Sequence, residues 1–175
     1  MLGTSAPATL IPQQIPAAEW SPALGDVLLV NTQANEASLV QLNGNYTSFK
    51  VVTGQRGVVS YIGRRYNATT PTKTWHLKSK HIKGDRITFG KTGEFLRLYN
   101  DDSPTPYGVH PHAYSQKMLA DDDRFRSMGC VIVADDIFRL IDETFAINNG
   151  VMKVVTFHGV PNPSIATAEN LQNAT

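Results

Sequence analysis

Cysteine is almost missing from this 175-residue chain, with Cys130 the single example, so no internal disulfide can form and the redox compartment stays open. Basic residues are missing from the first stretch altogether: no Lys or Arg precedes Lys50. Over the whole chain, 16 basic residues offset 15 acidic ones to a net charge of +1. That balance gives no global field to recommend nucleic acid or an anionic membrane as partner. No hydrophobic run approaches the roughly 20 residues of a membrane span. The opening "MLGTSAPATLIPQQIPAAEWSPALG" has neither the basic start nor the apolar stretch of a secretory signal. A leaderless protein and an envelope protein whose leader has been removed both fit. There is no internal repeat.

What is present describes a turn-rich globular chain: 41% hydrophobic and 18% charged residues, with 13 Gly and 10 Pro. A chain of this length forms one ordinary domain and can bury about 70% of its unfolded surface. Ala, Pro, Thr and Gln dominate residues 1–24, and "PNPSIATAENLQNAT" closes the chain in the same style. Both read as flexible tails around a domain at 25–159, the C-terminal one spanning 160–175.

Short β-like runs open the domain: "DVLLVNTQ", "EASLVQLN" and "YTSFKVVTG", separated by "ANE" and by "NGN" with its Asn-Gly hairpin signal. "TWHLKSK", "ITFGKTG" and "EFLRLYN" continue the alternation, and "VMKVVTFHG" supplies a late strand. One segment reads as a helix, "ADDIFRLIDETFAINNG", with Ile137, Leu140, Ile141 and Phe145 at helical spacing. Asp135 or Asp136 can cap its start, and Gly150 lies beyond its end. The fold class is mainly β with one helix after the cysteine segment. A basic stretch from Gly63 to Arg86 suits either a solvated face or a substrate rim.

The chemistry concentrates in "YGVHPHAYSQKMLADDDRFRSMGCVIV". A thiol at its reference pKa near 8.5 is only about 3% ionised at pH 7, so a nucleophilic cysteine needs a base or an N–H-rich turn beside it. His110 and His112 share one face if "GVHPH" is extended, and Pro111 places them at a strand end or edge. They lie twenty and eighteen residues before Cys130. Gly129 permits a sharp turn in which amides near Gly129 and Cys130 aim at a developing oxyanion. Ser127 can bond within that turn or to an imidazole. Against this stands ordinary packing: a cysteine followed by Val131, Ile132 and Val133 also suits a core.

These residues resemble the L,D-transpeptidase catalytic domain, or YkuD, family, whose signature is a histidine, a spacer, then Ser/Thr-His-Gly-Cys and an apolar residue. The matching residues are His110 in "YGVH", then Ser127, Gly129, Cys130 and Val131. "TTPT" at Thr69 to Thr72 is similar to the family's "TPTG" segment, and the resemblance runs from about Asp26 to His158. The chain departs from the pattern at Met128, where histidine is usual, at Ile132, where Arg or Asn commonly stands, and at Lys73, where glycine stands.

The resemblance implies a β-sandwich-like domain and acyl transfer through a Cys130 thioester on peptidoglycan stem peptides, with release of terminal D-alanine and no cofactor. Its setting would be the periplasmic or extracellular envelope, encoded by a bacterium or a phage. His110 is the favoured base because "YGVH" aligns with the family strand, and His112 remains the alternative. Ser127 and Gly129 complete the catalytic set, while His112, Tyr107 and Arg126 are candidate substrate contacts, with Arg124 and Trp75 beside them. Arg can pair with a stem carboxylate. Water in place of an amine acceptor would make a carboxypeptidase or endopeptidase. Two rivals stay open: a metal held by His110, His112 and a carboxylate from Asp121 to Asp123, and a catalytically silent cell-wall-binding module.

Overall fold

The computed structural model describes residues 11–159. Twelve strands follow in chain order: β1 (Val27–Asn31), β2 (Glu36–Val40), β3 (Tyr46–Lys50), β4 (Thr53–Gly54), β5 (Val58–Tyr61), β6 (Arg64–Asn67), β7 (Lys73–Ile82), β8 (Glu94–Asn100), β9 (Ser103–His110), β10 (Phe125–Ser127), β11 (Val131–Ile132) and β12 (Met152–Phe157). Helix α1 spans Ser115–Ala120 and α2 spans Asp135–Ile147.

Eight strands form one curled sheet in the order β11-β9-β8-β7-β12-β1-β2-β3, while β10 pairs with β4 and β5 with β6. The opening hairpins form where the turn residues place them. Asn31 accepts the amides of Gln33 and Ala34 in the first turn, and Gly44 sits at φ 88° in the second.

Alternation decides which face is buried. In β12, Met152, Val154 and Thr156 are buried and their neighbours only partly so, and Val154 stands beside Leu28 in a parallel register. The main core gathers Leu28, Val30, Leu39, Leu77, Leu96, Leu98, Val109 and Val131 under α2. The helix buries Ile137, Phe138, Ile141 and Thr144, with Leu140 and Phe145 only partly covered. Its apolar stripe is therefore rotated slightly from the sequence reading. The N-cap is Ala134, without a side-chain bond, and Asp135 and Asp136 lie in the first turn. There they favour the positive end of the helix dipole rather than capping it.

Three further expectations are corrected. "ITFGKTG" is a series of turns rather than a strand, because Asp85 accepts the amides of Ile87 and Thr88 and Gly90 and Gly93 take φ values of 69° and 70°. A second helix, α1, occupies part of the spacer before Cys130. Residues 11–24, read as tail, dock on the sheet: Trp20 is buried with Ile15 and Ala17 against the main core, and the Ile15 amide donates to the Tyr46 carbonyl at 2.8 Å. Residues 1–10 and the C-terminal tail lie outside the described residues. No helix among the described residues is long and apolar enough to cross a membrane.

Candidate active site

Cys130 lies at the end of the loop between β10 and β11, and β11 runs parallel to β9 with Val131 beside Val109 and Ile132 beside His110. This short ladder brings the two ends of the motif together across the intervening α1 segment. Gly129 has φ 117°, and a Cβ there would run into the Tyr107 ring, so only glycine fits the approach.

Ser127 closes the loop from inside. Its hydroxyl donates to the Cys130 carbonyl at 2.6 Å and accepts the Gly129 amide at 3.1 Å. The Gly129 N–H is therefore committed to the turn, which leaves the Cys130 amide as the candidate oxyanion donor. From outside, the buried Thr70 hydroxyl donates to the Gly129 carbonyl at 2.9 Å and accepts the Gly54 amide at 2.8 Å. Tyr66 donates to the Met128 carbonyl at 3.2 Å, and the Met128 sulfur accepts from Gln55 at 3.8 Å. Met128 thus faces outward, and the loop is fixed by its neighbours rather than by a side chain at that position.

The thiol donates toward the Pro106 carbonyl at 3.9 Å. Cys130 is half-buried, and the dry surroundings push its pKa up to about 11, against the Gly108 backbone and the charges of Arg97 and Lys83, which pull it down. His110 is buried beside Phe89 and Phe95, with ring centroids 4.9 and 5.8 Å away. Burial lowers its pKa to about 4 against backbone hydrogen bonding to Pro111 and Thr88. At neutral pH the pair is a thiol and a neutral imidazole. His110 Nδ1 lies 2.8 Å from the Pro111 carbonyl, which accepts its proton and so leaves Nε2 as the basic nitrogen. No hydrogen bond joins His110 to Cys130 among the described residues.

The other sequence candidates separate. His112 is half-buried, accepts the Tyr114 amide at its Nδ1 at 3.0 Å and lies beside the Tyr114 ring; burial lowers its pKa while Asp85 raises it. Tyr107 walls the cysteine loop and meets Trp75 edge-on at 6.1 Å. Trp75 itself is core, with its indole N–H donating to Thr156 at 2.9 Å. Arg126 is paired with Asp121 at 2.6 Å, and Arg124 donates to the Ala34 and Asp121 carbonyls. Both arginines are engaged locally. Among the described residues, no group of three or more His, Cys, Asp or Glu side chains is placed to hold a metal. Tyr66, Phe89 and Arg97 had no sequence signal, because each looks like an ordinary strand residue until the sheet is assembled.

A curled sheet with one covering helix thus lays a Gly-Cys loop parallel to a histidine-bearing strand. Residues 25–166 match the family model of the L,D-transpeptidase catalytic domain, YkuD. The chain belongs to this family.

Solved structures share its fold. One is an L,D-transpeptidase from Xylanimonas cellulosilytica, at 18% identity, TM-score 0.54 and coverage of 80% of this chain and 66% of that one. A second is the helical cell shape determining protein Pgp2 from Campylobacter jejuni, at 15% identity, TM-score 0.54 and coverage of 83% and 54%. Bd1075 from Bdellovibrio bacteriovorus is a third, at 15%, TM-score 0.53 and coverage of 93% and 58%. The chain spans between about half and two thirds of these proteins. Comparison with curated proteins gives no match.

Proposed function

We propose that this domain is a peptidoglycan-modifying acyl transferase of the cell envelope, with Cys130 as nucleophile and His110 as base. The observation that carries the reading is the parallel β9–β11 ladder, which sets a half-buried thiol beside a strand ending in a histidine whose Nδ1 is held by the Pro111 carbonyl.

With both groups neutral at rest, proton transfer accompanies attack: His110 takes the thiol proton as sulfur adds to the stem-peptide carbonyl. The Cys130 amide faces the oxyanion. The intermediate collapses with cleavage of the C–N bond, His110 returns the proton to the departing D-alanine amine, and a thioester remains. A second stem's amine attacks this thioester to form a cross-link, or water attacks it to leave a shortened stem.

The raised thiol pKa favours a second reading, a silent wall-binding module. Mass spectrometry of the protein mixed with a tetrapeptide-stem fragment separates the two. Loss of D-alanine with the wild type and none with Cys130→Ala supports the enzyme, and cross-linked dimer against trimmed tripeptide identifies the acceptor. An unchanged fragment with both proteins sinks the enzyme reading.

A further inference from the structure

Some cations of this chain are held in ion pairs, and others, the half-buried Arg124 among them, are met by backbone carbonyls instead. Lys78, Lys80 and Arg126 are each paired with a carboxylate at 2.6 to 2.7 Å. Arg97 and Lys83, both half-buried, meet no carboxylate among the described residues. A half-buried charge ordinarily finds a partner.

The charges of these two act on the thiol. Arg97 lies opposite Gly108 in the β8–β9 register, and one guanidinium nitrogen donates to the Thr105 carbonyl at 2.6 Å. The thiol addresses the next carbonyl along the same strand, that of Pro106. The Arg97 Nε donates to His81 Nε2 at 3.3 Å, which fixes the plane of the group and leaves its second terminal nitrogen without an acceptor among the described residues. The Phe95 ring lies directly on Gly108, where a Cβ would collide with it. Both cations flank that ring, Arg97 Cζ at 5.3 Å and Lys83 Nζ at 5.2 Å from its centroid.

We propose that Arg97 and Lys83 form an anion site beside Cys130 that binds the α-carboxylate of the residue expelled from the donor peptide. This rests on the acyl-transfer reading for its substrate, though the site itself does not. Arg97 supplies a planar donor edge and Lys83 a movable point charge. A carboxylate held there places the scissile carbonyl one residue back, next to the thiol. The arrangement selects donors whose cleaved bond is the last in the chain. Longer peptides and C-terminal amides lose the contact.

Two alkylating probes of similar size, iodoacetate and iodoacetamide, test the site without any peptide. Wild-type protein should show an iodoacetate-to-iodoacetamide rate ratio at Cys130 about tenfold above that of the Arg97→Gln/Lys83→Gln double variant, with Arg97→Lys retaining most of the ratio. Equal ratios in wild type and double variant overturn the site. With stem peptides ending in carboxylate or carboxamide, Arg97→Gln should raise KM for the carboxylate form about tenfold and leave the amide form unchanged. Equal loss on both forms also overturns the site. Failure of the wild type to cleave either peptide, with the alkylation ratio as expected, overturns the acyl-transfer reading and leaves the anion site standing.

Discussion

His110 and Asp26 are both buried titratable groups, on β9 and just before β1, strands with three others between them in the sheet, and burial acts on them with opposite consequences. His110 is enclosed by Phe89 and Phe95 at the end of β9, and its pKa falls from 6.5 to about 4. Asp26, just before β1, accepts the Ala23 amide at 2.9 Å with one oxygen and leaves the other without a partner. Its pKa rises from 3.8 to about 6, with burial outweighing the Ala23 bond. Desolvation favours the neutral form in each case, which keeps a base available in His110 and leaves Asp26 with a charge it holds poorly at pH 7. One burial is usable by the proposed chemistry, and the other is a stability cost.

The largest expected effect separates the two regions by activity. His110→Gln should lower D-alanine release by about a thousandfold, the usual scale for a general base, whereas Asp26→Asn should leave turnover within about twofold. Steady-state rates on a tetrapeptide stem check both. A large loss in the Asp26 variant would break the division between a working region and a structural one.

Stability against pH sharpens the same contrast. The folded His110 binds fewer protons than the unfolded one between pH about 4 and 6.5, so its contribution is present above 6.5 and is lost as pH falls through that window. The folded Asp26 binds more protons than the unfolded one between 3.8 and about 6, so its contribution is present below 3.8 and is lost as pH rises. Each is worth up to about 3 kcal/mol, and the two slopes oppose each other between pH about 4 and 6. Denaturant unfolding should therefore show a nearly flat wild-type profile there. Asp26→Asn should reveal a rise with pH and gain stability at pH 7, and His110→Gln should reveal a fall. Parallel profiles in all three proteins would refute the assigned shifts.

How far the sequence showed this site depends on whether each signal was local. The His110-to-Cys130 motif lies within one segment, and the hairpins carry their turn residues with them, so the opening strands and the motif could be read locally. Phe89 was misread because Ile87 and Phe89 alternate like a strand, while the capping carboxylate of Asp85 imposes turns. Arg97 sits in an ordinary strand pattern, and Thr70, although it lies in the "TTPT" segment, reaches Gly129 over 59 positions, a partner that no local pattern names. Arg126, whose charge beside the motif invited a substrate role, is paired with Asp121 at the surface.

The smallest expected effect asks whether the cysteine loop owes its shape to Thr70, as its hydrogen bonds imply. Thr70→Val keeps the side-chain shape but strands the Gly54 amide and the Gly129 carbonyl, both of which bond to the hydroxyl in buried surroundings. Leaving buried groups unpaired costs about 1 to 3 kcal/mol, which thermal unfolding will register. The loop would also lose its outer tie while keeping the inner one through Ser127. Turnover should therefore fall about tenfold through misplacement of Cys130 rather than vanish. Thr70→Ser restores the hydroxyl and should recover both stability and rate. If Thr70→Ser behaves like Thr70→Val, the methyl group and not the hydrogen bonds holds the loop, and the working region is packed more like the rest of the core than its polar contacts suggest.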